Sequence, residues 1–193
     1  MTQDDTSLII ATVTTVLSGI LASSPRVSRL EISLFRWVNT LPPSVTLPLA
    51  ALMQFGALGA VPLSAATARL AGRKALASDL TIAGGTAWVL AKAIKLLVVR
   101  QRPGLLLPKV LLRGRRQHGL GFPSGHAAVA AALTTAASSW VNASARRGMW
   151  ATAGSVGIAR IYIGAHLPLD VVGGAALGAM IGMTISTRRD ETN

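Results

Sequence analysis

Apolar runs long enough to approach membrane-spanning length recur along the whole chain, and arginine and lysine punctuate them. The runs are Leu8–Ala22, Ser44–Leu70, Leu80–Val99, Ser124–Val141, Met149–Ile163 and Pro168–Ile185. Repeated segments of this kind leave few architectures open. In lipid every backbone N–H and C=O must find its partner inside its own segment, which favours helices. The expected fold is therefore all-α: a polytopic membrane bundle of about six transmembrane helices, forming one domain over 1–193. No linker marks a second domain and no repeat of fixed period is present.

Composition sharpens this reading. Half of the residues are hydrophobic (51%), few are aromatic (4%) and 19 are glycine, a mixture suited to closely approaching membrane helices. The absence of cysteine removes disulfides and thiolate metal sites. A net charge of +12 would point to nucleic acid in a soluble protein. Here the cations lie between apolar runs, which points instead to lipid headgroups, topology and an anionic substrate, with no nucleic acid as partner.

The first run follows Asp4 and Asp5 rather than a basic segment, so it reads as a retained span and not a cleaved signal. Pro25–Pro42 reads as an interfacial amphipathic helix. Trp37 is its aromatic anchor, and Arg26, Arg29, Glu31 and Arg36 supply polar positions. Gly56, Gly59 and Pro62 interrupt the second run. In the last run Gly174, Gly178 and Gly182 recur every four residues, either as a homodimer seam or as tight packing within the protein's own bundle. A homodimer is possible but nothing else indicates one.

Six spans would place both termini on one side and the 100–123 loop and the 164–167 turn together on the other. Three polar patches then meet at one membrane face. Lys95 and Arg102-Pro103 end the third run, Pro123-Ser124-Gly125-His126 begins the fourth, and Arg160, His166 and Asp170 flank the last turn. A helix start after Pro-Ser-Gly offers free N–H groups and a positive dipole end to an anion, with the Ser124 hydroxyl beside them. Lys95, Arg102 and Arg160 can surround phosphate oxygens and stabilise transition-state charge. His166 and Asp170, four apart, share a helix face. The carboxylate can keep one ring nitrogen protonated and free the other to attack phosphorus. His126, at the facing helix start, can protonate the leaving oxygen. No step needs a metal or cofactor, since the acid cluster of a magnesium site is missing from the sequence. Lys92 lies three residues before Lys95. It either snorkels to the interface or lines the same pocket, where it would favour a diphosphate.

These patches resemble the type-2 phosphatidic acid phosphatases, whose pattern is Lys-x6-Arg-Pro, then Pro-Ser-Gly-His, then Ser-Arg-x5-His-x3-Asp. The chain has Lys95-x6-Arg102-Pro103, Pro123-Ser124-Gly125-His126 and Arg160-x5-His166-x3-Asp170, within a motif-bearing core of 80–187. The resemblance implies a six-helix membrane phosphatase acting through a phosphohistidine at His166, with His126 as the acid. It also implies phosphate binding by Lys95, Arg102, Ser124, Gly125 and Arg160. The one departure is Ala159, where the family carries serine. The resemblance further implies a lipid phosphate or diphosphate substrate of the polyprenyl diphosphate, phosphatidylglycerol phosphate or phosphatidic acid class. By the same resemblance, the site faces outside the cytoplasm from a multi-pass plasma-membrane position. Two other functions use similar residues. One is non-catalytic lipid-phosphate binding, against which every catalytic side chain is present. The other is vanadate-dependent peroxidation, whose enzymes are soluble.

Overall fold

The computed structural model describes residues 3–115 and 117–190 and is helical. Arg116 lies outside the described residues. So do the side chains of Arg188 and Arg189. The helices are α1 (Gln3–Ala22), α2 (Arg29–Asn39), α3 (Thr46–Met53), α4 (Ala60–Leu70), α5 (Lys74–Leu97), α6 (Pro103–Leu106), α7 (Gly125–Ala137), α8 (Ala143–Tyr162) and α9 (Pro168–Asp190).

By length and composition α1, α5 and α9 can each cross a membrane. The second apolar run is not one straight helix: its two halves meet at 70° across the Gly56–Gly59 break, giving a bent candidate span. The fourth run is α7, whose 13 residues extend roughly 20 Å, short of the ~30 Å hydrocarbon core. A 3-10 turn to Trp140 lengthens it. The fifth run is α8, which carries Arg146, Arg147 and Arg160 within its 20 residues.

α7 is the hub of the bundle. From Ala127 to Ala137 all but Thr135 is buried, because α5, α8 and α9 pack around it. Small side chains make this approach possible. A Cβ added at Gly174 would collide with the Ser124 carbonyl, and one at Gly178 with the Ala128 carbonyl. At Gly182 it would meet the Thr135 side chain and the Ala132 carbonyl. The glycine stripe of α9 thus faces α7 of the same chain, which resolves its two sequence readings in favour of packing within the bundle.

α2 carries three faces. Glu31, Phe35 and Val38 recur at i, i+4 and i+7 and are buried, whereas Leu30 and Trp37 are about 70% exposed and Arg29 and Arg36 point elsewhere on the surface. An exposed apolar strip beside an exposed polar one is the pattern of a helix lying at an interface. Glu31 corrects the expectation: it belongs to the inward face, not to the polar surface. Ser28 starts the helix by accepting the Glu31 N–H at 3.2 Å.

The expected meeting of the 100–123 loop with the 164–167 turn is present. Arg113 N–H donates to the Ile163 carbonyl at 3.2 Å, and Asn39 Nδ2 bridges the Leu111 and Tyr162 carbonyls at 2.9 Å each. The Arg113 guanidinium lies 4.0 Å from the Tyr162 ring centroid and donates to the Asn39 and Tyr162 carbonyls. The guanidinium thus holds this loop against the end of α8.

The α7–α9 contact predicts an asymmetry between glycines. Gly178→Val should cost about 1–3 kcal/mol through overpacking against backbone, read as a lower thermal midpoint of the detergent-solubilised protein. Gly59→Ala, whose Cβ meets nothing within 4 Å, should leave the midpoint unchanged. Equal midpoints for the two variants would contradict the packing of α9 on α7.

Candidate active site

His166 is placed by the turn between α8 and α9. Gly164, at φ +74°, takes the left-handed conformation that ends α8 without the penalty a Cβ would bring. Ala165 and His166 N–H groups then both donate to the Arg160 carbonyl, at 3.1 and 3.2 Å. The turn therefore fixes His166 against Arg160. Pro168 opens α9, where its missing N–H costs nothing. Asp170 reaches back to accept the Leu167 N–H at 2.9 Å, in the manner of a capping-box acid.

Asp170 is fully buried, and its Oδ2 lies 3.4 Å from His166 Nδ1, close but outside hydrogen-bond geometry. Its Oδ1 accepts from Arg100 Nη1 at 2.9 Å. Arg100 is also held by Glu31, with Nη2 to Oε2 at 2.6 Å and Nη1 to Oε1 at 3.0 Å. Glu31 Oε1 in turn accepts the Leu169 N–H at 3.0 Å. Two acids thus share one guanidinium at the start of α9, where the helix dipole also favours negative charge.

Sequence reasoning missed both Glu31 and Arg100. The signals were present: a lone carboxylate in register with Phe35 and Val38, and a second arginine two residues before Arg102. Burial works against the Arg100 charge, but the Glu31 hydrogen bond and the Asp170 carboxylate outweigh it and raise its pKa above the ordinary arginine value. His166, in the turn outside the helices, is pushed down to about 3. Burial is the main cause, and the Arg160 and Lys95 charges add to it against the pull of Asp170.

A cavity of about 430 Å³ opens in front of His166. Lys92, Lys95, Arg102, Gly125, His126 and Arg160 line it together with His166, and no carboxylate does. Most of the residues singled out in sequence therefore converge. Ser124 and Asp170 stand behind the wall: both are fully buried, and the Ser124 hydroxyl accepts the Ala127 N–H as the cap of α7. The Ser124 N–H donates to the Asp170 carbonyl at 2.8 Å, which ties the two helix starts together. At Gly125 an added Cβ would meet no protein atom within 4 Å, so the space before this helix start is open to a ligand.

The cations differ in how they are held. Lys95 Nζ donates to the carbonyls of Leu120, Gly121 and Pro123 at 3.1, 2.8 and 2.6 Å, so it clasps the loop that leads into α7 while lending its charge to the cavity. Arg102 donates to the Gly119 and Ala165 carbonyls at 3.0 and 2.8 Å. Burial, its main perturbation, lowers the Arg102 pKa. Arg160 has only a soft partner, Met53 Sδ at 3.4 Å from Nη1, and its buried Nε has none in the protein. Lys92 is exposed at the cavity and lies 4.8 Å from the Trp88 ring centroid. Among the described residues no group of three His, Asp or Glu side chains is arranged to hold a metal ion.

A cluster of cations and paired histidines around one cavity is chemically suited to phosphoryl transfer. Comparison with known proteins bears on the same point. No curated protein matches the chain in sequence. Among solved structures, LpxE of Aquifex aeolicus is similar, with 28% identity and a TM-score of 0.76, over 83% of this chain and 96% of that one. A transmembrane PAP2-type phosphatidylglycerolphosphate phosphatase from Bacillus subtilis shares the fold at 16% identity, with a TM-score of 0.78 over 97% and 98% of the two chains. The profile of the PAP2 superfamily matches residues 75–192, more than half of the sequence and all three motifs. The chain is a helical membrane phosphatase, and it belongs to the PAP2 superfamily.

Proposed function

We propose that this phosphatase hydrolyses a lipid phosphate or diphosphate, without a metal ion, through a phosphohistidine at His166. The observation that carries this reading is the single cavity holding His126, His166 and four cations with no carboxylate among them. His166 Nδ1 faces Asp170, so Nε2 is the nitrogen available to phosphorus. As the bond from Nε2 to phosphorus forms, the phosphorus–oxygen bond to the lipid breaks, and His126 gives its proton to the departing oxygen. Water then attacks the phosphohistidine, His126 takes the proton back, and inorganic phosphate leaves with His166 restored. Lys95, Arg102 and Arg160 stabilise the charge on the phosphoryl oxygens in both steps. An anion at this position would also give the buried Arg160 Nε the partner it lacks in the protein.

Leu58, Trp88 and Ala91 share the cavity wall with the charged residues, which suits a substrate with an apolar chain beside its phosphate. Phosphatidylglycerol phosphate, polyprenyl diphosphates and phosphatidic acid are the candidate classes. In a plasma membrane the site faces away from the cytoplasm. That orientation follows the family resemblance and leaves Arg69, Arg73, Lys74, Arg146 and Arg147 on the inner side, against an equally basic loop over 100–116 on the outer side. Lys92 extends the cavity's charge and engages a second phosphate.

Protein incubated with labelled lipid phosphate in EDTA and quenched in alkaline detergent should carry an acid-labile, base-stable phosphoryl group on His166. His166→Ala should lose both the label and turnover. His126→Ala should still bind substrate but release the lipid alcohol slowly. Label on His126, or activity that needs added magnesium, would overturn the mechanism. A second measurement concerns pH. Because burial holds His166 neutral down to about 3 in the free protein, the acid-side loss of kcat/KM should fall well below the ordinary histidine value of 6.5. A loss centred at 6.5 would show that the imidazole is solvated in the free enzyme. Finally, Lys92→Met should slow diphosphate turnover more than monophosphate turnover. Equal effects would leave Lys92 as a snorkelling residue.

A further inference from the structure

Glu31 and Arg100 do not line the cavity, yet they are only 4% and 5% exposed and bond, directly or through one another, to Asp170, which backs His166. They come from distant parts of the chain: Glu31 from the interfacial helix α2, and Arg100 from the loop after α5. A buried ion pair is a weak source of stability, since apolar replacements of similar volume are often as stable or more so. Fastening α2 to the bundle is therefore an insufficient reason for three buried charges. Their geometry supplies a better one.

A carboxylate can rotate about its Cβ–Cγ bond, and only some rotations present an oxygen to the imidazole. Asp170 is held at both ends. Oδ1 accepts from Arg100 at 2.9 Å, and Oδ2 accepts the Leu167 N–H at 2.9 Å while it faces His166 Nδ1 at 3.4 Å. Arg100 is itself gripped by both Glu31 oxygens, and Glu31 by the Leu169 N–H. Gly121 closes the remaining side. A Cβ there would lie 3.1 Å from Asp170 Oδ2, and the Gly121 N–H donates to the Arg100 carbonyl at 2.7 Å. Charge matters as well as position. With Asp170 alone, the full positive charge of Arg100 would cancel the carboxylate. Glu31 takes up that positive charge and leaves the group of three with one net negative charge beside His166.

The geometry points to Glu31 and Arg100 as a positioning pair: they fix the plane and preserve the charge of Asp170, so that His166 keeps its proton on Nδ1 and Nε2 stays free. This rests on His166 being the nucleophile, as proposed above. Neither residue touches substrate, so the pair should act on the chemical step and not on binding.

The test uses the full chain in lipid nanodiscs with 15N-labelled histidine. Only three histidines contribute signals, and His118→Gln and His126→Gln assign them by elimination. In the unsubstituted protein His166 should be the Nδ1–H tautomer. Glu31→Gln, which can still accept the Leu169 N–H, should mix the tautomers. It should lower kcat for dioctanoyl phosphatidic acid by roughly 10–100-fold and leave KM largely unchanged. Glu31→Asp should recover part of the loss. An unmixed tautomer with unchanged kcat in Glu31→Gln would overturn the proposal, as would a rise in KM alone. Should Glu31→Gln fail to fold, Arg100→Lys carries the same readouts, because it keeps the charge but loses the two-pronged grip. If the unsubstituted protein releases no phosphate from any lipid phosphate, the proposed function fails, and the tautomer decides on the pair by itself: mixing supports it, no mixing overturns it.

Discussion

A carboxylate buried as completely as Asp170 survives only where every oxygen is engaged, because desolvating an unpaired ion costs on the order of several kcal/mol. Much of the site follows from meeting that demand. The Leu167 N–H and Arg100 satisfy the two oxygens, and Arg100 in turn requires Glu31. Three separate segments are thereby drawn to one point: α2, the loop after α5 and the start of α9. The Asp170 backbone carbonyl adds a fourth by accepting the Ser124 N–H, which registers the start of α7 against the start of α9. Two of the three histidines that line the cavity, His126 and His166, stand at these two helix starts.

In front of this layer of paired charges lies a layer whose charges are all of one sign. Lys95, Arg102 and Arg160 share a cavity wall without a carboxylate, so their mutual repulsion is relieved chiefly by backbone carbonyls. Carbonyl dipoles hold a cation in place without neutralising it. The cavity therefore keeps a positive field for an anion while its side chains remain fixed, which is the preorganisation that phosphoryl transfer draws on. Arg160 is the least constrained of the three, with a thioether as its side-chain partner and an unsatisfied Nε. The rest of the bundle offsets this local cost. Its centre is built from alanine and glycine, so helices approach to backbone contact and dispersion contacts are dense.

α2 connects this interior to the membrane surface. Its exposed Leu30 and Trp37, its exposed arginines and its buried Glu31 occupy different faces of an 11-residue helix. A single short element therefore presents an apolar strip, a polar strip and a buried face that reaches the layer behind the active site. The interfacial reading and the site are two faces of the same helix.

The sequence by itself determined the helical membrane character, through the length and spacing of its apolar runs, and it singled out most of the polar residues that line the cavity. Three motifs of fixed internal spacing named Lys95, Arg102, Gly125, His126, Arg160 and His166, and the cavity gathers all of them. Local rules were legible because they act over a few residues: the Ser124 cap, the i,i+4 pairing of His166 with Asp170, and Gly164 ending α8. Tertiary structure decided what depends on which distant surface an element meets. It turned the α9 glycines toward α7 instead of toward a second chain, since a four-residue repeat specifies a flat face but not its partner. It bent the second apolar run by 70°, where glycines permit a break but do not set its angle. It placed Ser124 behind the cavity wall, and it brought Glu31 to Arg100 across 69 residues. The bond between those two charges cannot be read from spacing, because it exists only when folding removes both from water and leaves each as the other's best partner.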